Sequence, residues 1–323
     1  MNKPAYARED FTNDNEVRWC PGCGDYAILM ALQRLLPELG LPPEQHVFVS
    51  GIGCAGRLPY YMNTYGFHTI HGRALAVATG LKAMHDELCV WVITGDGDAL
   101  SIGGNHLIHA LRRNVNLNVL LINNQVYGLT KGQFSPTSQP GQITKTSPKG
   151  VNMQAVNPLS LALASGATFV ARAVDKDPVH LASVLKQAYE HPGCSFVEIY
   201  QDCNIFNNGA FDEFSLKANR AENTVQLTHG QPLLFGKDSD KGLVVKNDKL
   251  HRVDHEEAKD YHHDSHNFLA AMRLANLSFP EYPVPLGVYY QETRETYTLP
   301  CDIKKTPADL PALFRAKASW QQG

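Results

Sequence analysis

Two short polar stretches and four cysteines bring together the residue types that could do chemistry in this chain. The first stretch is Thr94-Gly95-Asp96-Gly97-Asp98 and the second is Asn123-Asn124-Gln125-Val126-Tyr127-Gly128. As metal ligands Asp96 and Asn124 offer oxygen atoms only. Oxygen ligands approached through glycines suit a hard cation such as Mg²⁺ and the diphosphate it would neutralise. Cys20 and Cys23 form a C-x-x-C pair, Cys54 lies in the glycine-rich loop Gly51-Ile52-Gly53-Cys54-Ala55-Gly56-Arg57, and Cys203 follows a later apolar run. Four thiolates meeting at one place would suit a [4Fe–4S] cluster or a Cys₄ zinc site. A C-x-x-C pair also serves thioredoxin-like redox chemistry, usually after a strand in a smaller fold. Cys20 and Cys23 precede a helical pattern, and a helix N-terminus there would favour the thiolate. Cys89, Cys194 and Cys301 read as buried or incidental.

These groups can act only if strands deliver them to one edge. Cys89–Ile93 and Leu117–Ile122 are apolar runs of strand length, and Leu107, Ile108 and Leu111 recur between them at helical spacing. The result is a βαβ unit with its polar residues at the C-terminal ends of parallel strands, where open α/β sheets bind ligands. Strands are also predicted at 46–50, 167–173 and 195–200, and helices at about 71–86, 157–165 and 178–190. Ile28, Leu32, Leu35, Leu36 and Leu39 mark a helix after Cys23. The fold class is therefore α/β, a parallel sheet flanked by helices. We divide the chain into a polar arm (1–18), a site-bearing domain (19–208) and a C-terminal extension (209–323). The extension shows no core of its own and reads as wrapping the domain or a partner chain. Its His262-His263-Asp264-Ser265-His266 stretch reads as a solvated lead-in to a helix.

Composition narrows the function. The formal net charge is -3 over 323 residues with no basic block, which argues against a nucleic-acid partner. No apolar run approaches the ~18 residues of a transmembrane helix, and the N-terminal stretch has no apolar signal core. A cytoplasmic protein is expected, so the seven cysteines point to metal, redox or burial rather than to disulfides.

Gly95-Asp96-Gly97, followed after 25 residues by Asn123-Asn124, resembles the thiamin diphosphate motif. That resemblance implies Mg²⁺ held by the Asp96 carboxylate, the Asn124 side chain and the Val126 carbonyl. With Trp19-Cys-Pro-Gly-Cys-Gly24, Gly51-Ile-Gly-Cys54, Ile70-His-Gly-Arg73 and Asn123–Gln133, the chain resembles β subunits of 2-oxoacid:ferredoxin oxidoreductases of the 2-oxoglutarate synthase type. The likeness covers about residues 15–210 and touches Pro283–Val288. It implies a thiamin diphosphate-binding fold of the PP type, in which Cys20, Cys23, Cys54 and Cys203 ligate one [4Fe–4S] cluster. It also implies a diphosphate cradle made of Ile52, Gly53 and Cys54, His71, Gly95, Asp96, Gly97 and Asp98, and Val126, Tyr127, Gly128, Leu129 and Thr130. The activity implied is the interconversion of a 2-oxoacid plus coenzyme A with acyl-CoA plus CO₂, ferredoxin carrying the electrons. The family takes its pyrimidine-side glutamate from another domain, and no second such domain is legible here. An α subunit is therefore expected to supply that glutamate and the coenzyme A contacts, in an (αβ)₂ complex.

For substrate choice, Arg57 and Lys131 are candidate cations for a distal carboxylate, and Leu129 a candidate wall. They favour 2-oxoglutarate over pyruvate. Two rival readings are a non-redox thiamin decarboxylase or synthase and a zinc-stabilised binding subunit. The four placed cysteines argue against the first and the Asp96/Asn124 pattern against the second.

Overall fold

A computed structural model describes residues 6–298. Its centre is an eight-stranded sheet. The strands are β1 (His46–Ser50), β2 (Tyr65–His68), β3 (Cys89–Gly95), β4 (Asn118–Asn123), β5 (Phe169–Val174), β6 (Ser195–Tyr200) and β7 (Thr224–Leu227). After a small antiparallel sheet of β8 (Leu234–Phe235), β9 (Lys241–Lys246) and β10 (Lys249–Asp254), the chain returns as β11 (Val284–Gln291). The order across the large sheet is β2-β1-β3-β4-β6-β5-β11-β7, parallel except where β11 runs antiparallel to β5.

Apolar residues face both ways because the sheet is covered on both sides. Val47, Val49, Val90, Val92, Val119 and Leu121 point to one layer, and Phe48, Trp91, Ile93, Leu120 and Ile122 to the other. The first layer includes helices α2 (Ala74–Met84), α4 (Gly104–Arg112) and α5 (Pro158–Ala164), while α1 (Asp25–Leu35) and α6 (Pro178–Glu190) cover the second. Capping starts α5 and α6. Asn157 and Asp177 accept from the backbone N–H groups of Ser160 and His180, and a proline opens each helix. A one-turn helix, α3 (Asp96–Leu100), follows β3 directly. Among the described residues no helix is long and apolar enough to cross a membrane.

Within residues 6–18 the arm is anchored, since Phe11 is buried among α1 and sheet residues. The sheet also continues past residue 208. β11 pairs with β5, and β7 pairs with β11. Val225, Leu227, Leu274 and Tyr289 join the same apolar layer as β1, β3 and β4. His263 is likewise buried, with its ring bonded to the Val288 carbonyl, so the histidine-rich stretch is not solvated throughout. Cys301 lies outside the described residues.

A polar chain crosses the core beneath the second motif. Asn123 Nδ2 donates to Glu198 Oε1 (2.7 Å), Arg172 Nε donates to Glu198 Oε2 (2.7 Å), and Arg172 Nη1 donates to the Tyr289 hydroxyl (2.9 Å). Four neighbouring strands (β4, β6, β5 and β11) are thereby tied to one asparagine. Arg172 and Glu198 are both buried. Arg172→Leu leaves Glu198 unpaired in the interior and is expected to cost about 3–5 kcal/mol, read as a lower denaturant midpoint.

Candidate functional site: a cavity beside four thiols

The C-terminal ends of β1, β3 and β4 lie side by side, since β1 pairs with β3 and β3 with β4. Their loops enclose a cavity of about 670 Å³. Its lining includes all the predicted cradle residues: Ile52, Gly53 and Cys54, His71, Gly95 to Asp98, Asn124, and Val126 to Thr130. Ala55, Ser101, Ile102, Ile122, Gln133 and Phe134 complete walls that the sequence did not assign. Of the substrate candidates, Leu129 lines the cavity, whereas Arg57 and Lys131 stand outside its lining. Arg57 sits on the helical turn Ala55–Tyr61 on the Cys54 side. Lys131 is exposed and adopts a positive φ of 77°.

Asp96 is 2 % exposed. Ser135 Oγ donates to its Oδ2 at 2.6 Å, and Thr137 Oγ1 shares its one proton between Asp96 Oδ2 (2.5 Å) and Asn123 Oδ1 (2.9 Å). The long loop after the second motif thus folds back to hold one carboxylate oxygen and leaves the other without a side-chain donor among the described residues. Burial pushes the Asp96 carboxyl up to about 6, against the pull of the two hydroxyls. A buried acid of this kind suits a cation that would replace its lost solvation. Asn124 is held in turn, donating through Nδ2 to Gln201 Oε1 (2.9 Å). Gln125 takes a positive φ of 57° between Asn124 and Val126, a left-handed kink that bends the loop at the cavity edge.

Asp98, which lines the cavity, also holds its rim together. Its Oδ1 accepts from the backbone N–H groups of Ile52 (3.2 Å) and Gly72 (2.8 Å), and its Oδ2 from the Thr94 hydroxyl (2.8 Å). One carboxylate clasps three segments of the cavity rim. Gly51 is required there, because an added Cβ would overlap the Asp98 carboxylate. Gly97 similarly admits the Tyr127 ring, whose hydroxyl donates to the Gly97 carbonyl at 3.0 Å. His71 lies in a turn and does not begin the helix as the sequence suggested. The helix starts at Ala74, after the Gly72 N–H has been taken by Asp98.

The thiols gather beside the cavity. The Trp19 indole N–H donates to the Cys54 carbonyl (2.8 Å), Asn204 Nδ2 to the Pro21 carbonyl (2.6 Å), and Gln201 Nε2 to Cys23 Sγ (3.3 Å). These bonds stitch the C-x-x-C turn to the loops carrying Cys54 and Cys203. A Cβ placed on Gly128 would lie 3.4 Å from the Cys203 sulfur and 3.8 Å from the Cys54 sulfur. Cys23 is felt electrostatically by Cys54 and Cys203, and Cys54 by Cys203 and Cys20. All four sulfurs therefore share one neighbourhood.

The expected thiolate bias at the helix start does not hold. Burial, then the Asp25 carboxylate, pushes the Cys23 thiol well above its ordinary range, and burial pushes Cys54 up to about 12. Desolvation outweighs a helix dipole worth about half a charge. Such thiols ionise when a metal takes the proton's place. Among the described residues no three His, Cys, Asp or Glu side chains close around a single metal ion. Cys194 is buried at the start of β6, while Cys89 is partly exposed at the start of β3; both lie away from the cavity edge.

Residues 51–199 match the thiamine pyrophosphate enzyme family, C-terminal TPP binding domain. The chain is 58% identical over 236 residues to the 2-oxoglutarate oxidoreductase subunit KorB of Mycobacterium tuberculosis, a match covering 73% of this chain and 63% of that protein. It is 41% identical to the 2-oxoglutarate synthase subunit KorB of Methanocaldococcus jannaschii, over 58% of this chain and 70% of that one. The chain belongs to the β subunits of the 2-oxoacid:ferredoxin oxidoreductases. A solved 2-oxoglutarate:ferredoxin oxidoreductase from Magnetococcus marinus, with 2-oxoglutarate, coenzyme A and succinyl-CoA bound, superimposes on this β subunit with a TM-score of 0.73 at 35% identity, over 90% of this chain and 87% of that one. The match spans slightly under two thirds of the Mycobacterium tuberculosis relative. In this β-subunit family the resemblance seen in the sequence and the observed fold agree: a mostly parallel sheet flanked by helices, with a thiamine pyrophosphate-binding domain at its centre.

Proposed function

We propose that this chain binds thiamin diphosphate with Mg²⁺ in the 670 Å³ cavity and a [4Fe–4S] cluster on Cys20, Cys23, Cys54 and Cys203. With an α subunit it would convert a 2-oxoacid, favouring 2-oxoglutarate, plus coenzyme A to acyl-CoA and CO₂. Two electrons leave singly to ferredoxin, and the reverse reaction uses the same site. The observation that carries this reading is Gly128, which lines the cavity on one side and abuts the Cys54 and Cys203 sulfurs on the other.

The residues fit the groups. Asp96, the Asn124 side chain and the Val126 carbonyl would hold the cation. The close approaches at Gly51 and Gly97 keep the rim narrow enough for backbone to face a diphosphate, and His71 would donate to it from the rim. When bound, thiamin diphosphate supplies the electron sink for decarboxylation, and the cluster supplies a one-electron acceptor. The chain's own part is positioning. Ser135 and Thr137 fix Asp96, Gln201 fixes Asn124, and Leu129 and Ile102 provide apolar wall.

The wall around the cavity comes from one chain, and the pyrimidine-side glutamate and coenzyme A contacts are assigned to the α subunit, in an (αβ)₂ complex working in the cytoplasm. Arg57 bonds no described side chain and lies three residues past Cys54, just outside the cavity lining. We assign it to the distal carboxylate of a dicarboxylic substrate, with Lys131 as a second cation on the rim. Arg57→Ala should raise the KM for 2-oxoglutarate at least tenfold relative to pyruvate, the loss of about 1.4 kcal/mol or more of charge-assisted hydrogen bonding. An unchanged preference between the two acids removes Arg57 from this role. The test of the whole reading is the anaerobically purified chain. A broad visible absorption bleached by dithionite, with iron and sulfide in matching amounts, supports it, and a colourless zinc protein refutes it.

A further inference from the structure

Between the two proposed cofactor sites lies one side chain that neither site requires as a ligand. Gln201 follows β6 directly and is 1 % exposed. Its backbone N–H extends the sheet ladder to the Asn123 carbonyl at 3.0 Å. Its side chain faces in two directions at once. Oε1 accepts from Asn124 Nδ2 at 2.9 Å, and Nε2 donates to Cys23 Sγ at 3.3 Å and to the Asp202 carbonyl at 2.6 Å.

We propose that Gln201 is a positioning residue that joins the cation ligand Asn124 to the cluster ligand Cys23, orienting the first and setting the reduction potential of the second. The proposal rests on the reading of the two sites given above.

The chemistry of the amide explains why glutamine stands here. The site needs an acceptor at one end and a donor at the other, about one side chain apart and without charge, and an amide provides both. An added carboxylate would join Asp25, Asp175 and Asp202, which already crowd this corner: Asp202 N–H donates to Asp175 Oδ2 at 2.8 Å, and Asp25 and Asp175 interact as like charges. At the Asn124 end, engaging Nδ2 fixes which way the amide faces and turns Oδ1 toward the Val126 N–H (3.2 Å) and the metal-facing loop. At the Cys23 end, an N–H aimed at a ligating sulfur stabilises the added negative charge of the reduced cluster and so raises its potential. Outer partners that fix a ligand's orientation commonly govern 10–100-fold in metal affinity.

The test uses the full chain, purified anaerobically with its iron, and Gln201→Met, which keeps length and removes both bonds. Relative to wild type, the variant's cluster should become a roughly tenfold poorer electron acceptor, a fall of about 59 mV for a one-electron couple. Its Mg²⁺ affinity, measured by Mg²⁺-dependent thiamin diphosphate binding, should weaken about tenfold. Gln201→Asn, too short to reach both partners, should move both quantities in the same directions, and Gln187→Ala on the exposed face of α6 should move neither. A Gln201→Met chain with full iron that keeps either quantity at its wild-type value overturns the joint role. If neither variant assembles its cluster, the wild-type protein decides alone. With ¹⁵N-glutamine labelling, pulsed EPR of the reduced cluster should detect the side-chain nitrogen, and absence of that coupling overturns the proposal. A wild-type chain with no iron and no thiamin diphosphate binding would instead defeat the functional reading, which separates the two failures.

Discussion

Asp96→Asn is expected to abolish Mg²⁺-dependent thiamin diphosphate binding while leaving the fold intact. Ser135 and Thr137 both donate hydrogen bonds to one Asp96 oxygen. An asparagine that keeps those two bonds gives them its only oxygen, so its NH₂ would turn toward the cavity and meet the cation as a donor rather than a ligand. Charge and ligand are lost together. The loss should exceed about 100-fold in affinity, beyond the roughly 10–100-fold that follows removal of an outer partner. Stability should move the other way. The Asp96 carboxyl is raised from 3.8 to about 6 in the fold, so the folded state holds its proton more tightly than the unfolded chain does. That contribution favours folding at low pH and is lost as pH rises from about 3.8 through 6. The amide carries no such term, so at neutral pH the metal-free variant should melt no lower than metal-free wild type. Calorimetric titration with thiamin diphosphate and Mg²⁺, alongside thermal melts, separates the two effects. Binding within a few-fold of wild type would remove Asp96 from the cation site.

Cys54→Ser is expected to empty the thiol group of iron while sparing the cavity. Cys54 belongs to both places: it lines the cavity, and its sulfur faces Cys203 across Gly128. Its backbone carbonyl is held by the Trp19 indole, and that bond does not depend on the side chain. The serine oxygen is smaller and harder than the sulfur and is a poor match for a site of soft ligands. The variant should lose its visible absorption and nearly all of its iron, and should transfer no electrons to ferredoxin in the complex. Thiamin diphosphate binding should stay within a few-fold of wild type, because Asp96, Asn124 and Val126 are unchanged. Iron analysis and anaerobic absorption check the first expectation, and titration checks the second. Retention of the full iron content would exclude Cys54 as a ligand.

How much of this was legible follows from which interactions are local. The strands that build the cavity could be read directly, since runs such as Val47-Phe48-Val49 and Leu120-Leu121-Ile122 are buried on both faces and interrupted by nothing. The cradle residues came from the family resemblance, and the parallel strands explain why they share one edge. Long-range roles could not be read in the same way. Nothing near Gln201, Ser135 or Thr137 announces a partner, and their contacts with Asp96, Asn124 and Cys23 span 39 to 178 residues. A Ser135-Pro-Thr-Ser138 stretch just after the Asn123–Gly128 loop was the available signal for two of them. β11 escaped detection because Pro285 and Gly287 break a run that otherwise alternates, and its pairing with β5 carries an irregularity between Val288 and Tyr290. The thiolate expectation at Cys23 failed for a physical reason. Sequence shows the helix start, but it does not show the burial and the Asp25 carboxylate that outweigh the dipole there.

The central claim is that the cavity and the thiol group form one electron-transferring site. Mixing the anaerobic complex of this chain and its α subunit with 2-oxoglutarate and coenzyme A, in the absence of ferredoxin, tests it most directly. The account predicts that the visible absorption of the cluster bleaches in the wild-type complex and stays unchanged in the Asp96→Asn complex, whose cluster dithionite still reduces. Substrate that leaves a dithionite-reducible wild-type cluster unbleached, or that bleaches both complexes alike, would contradict it.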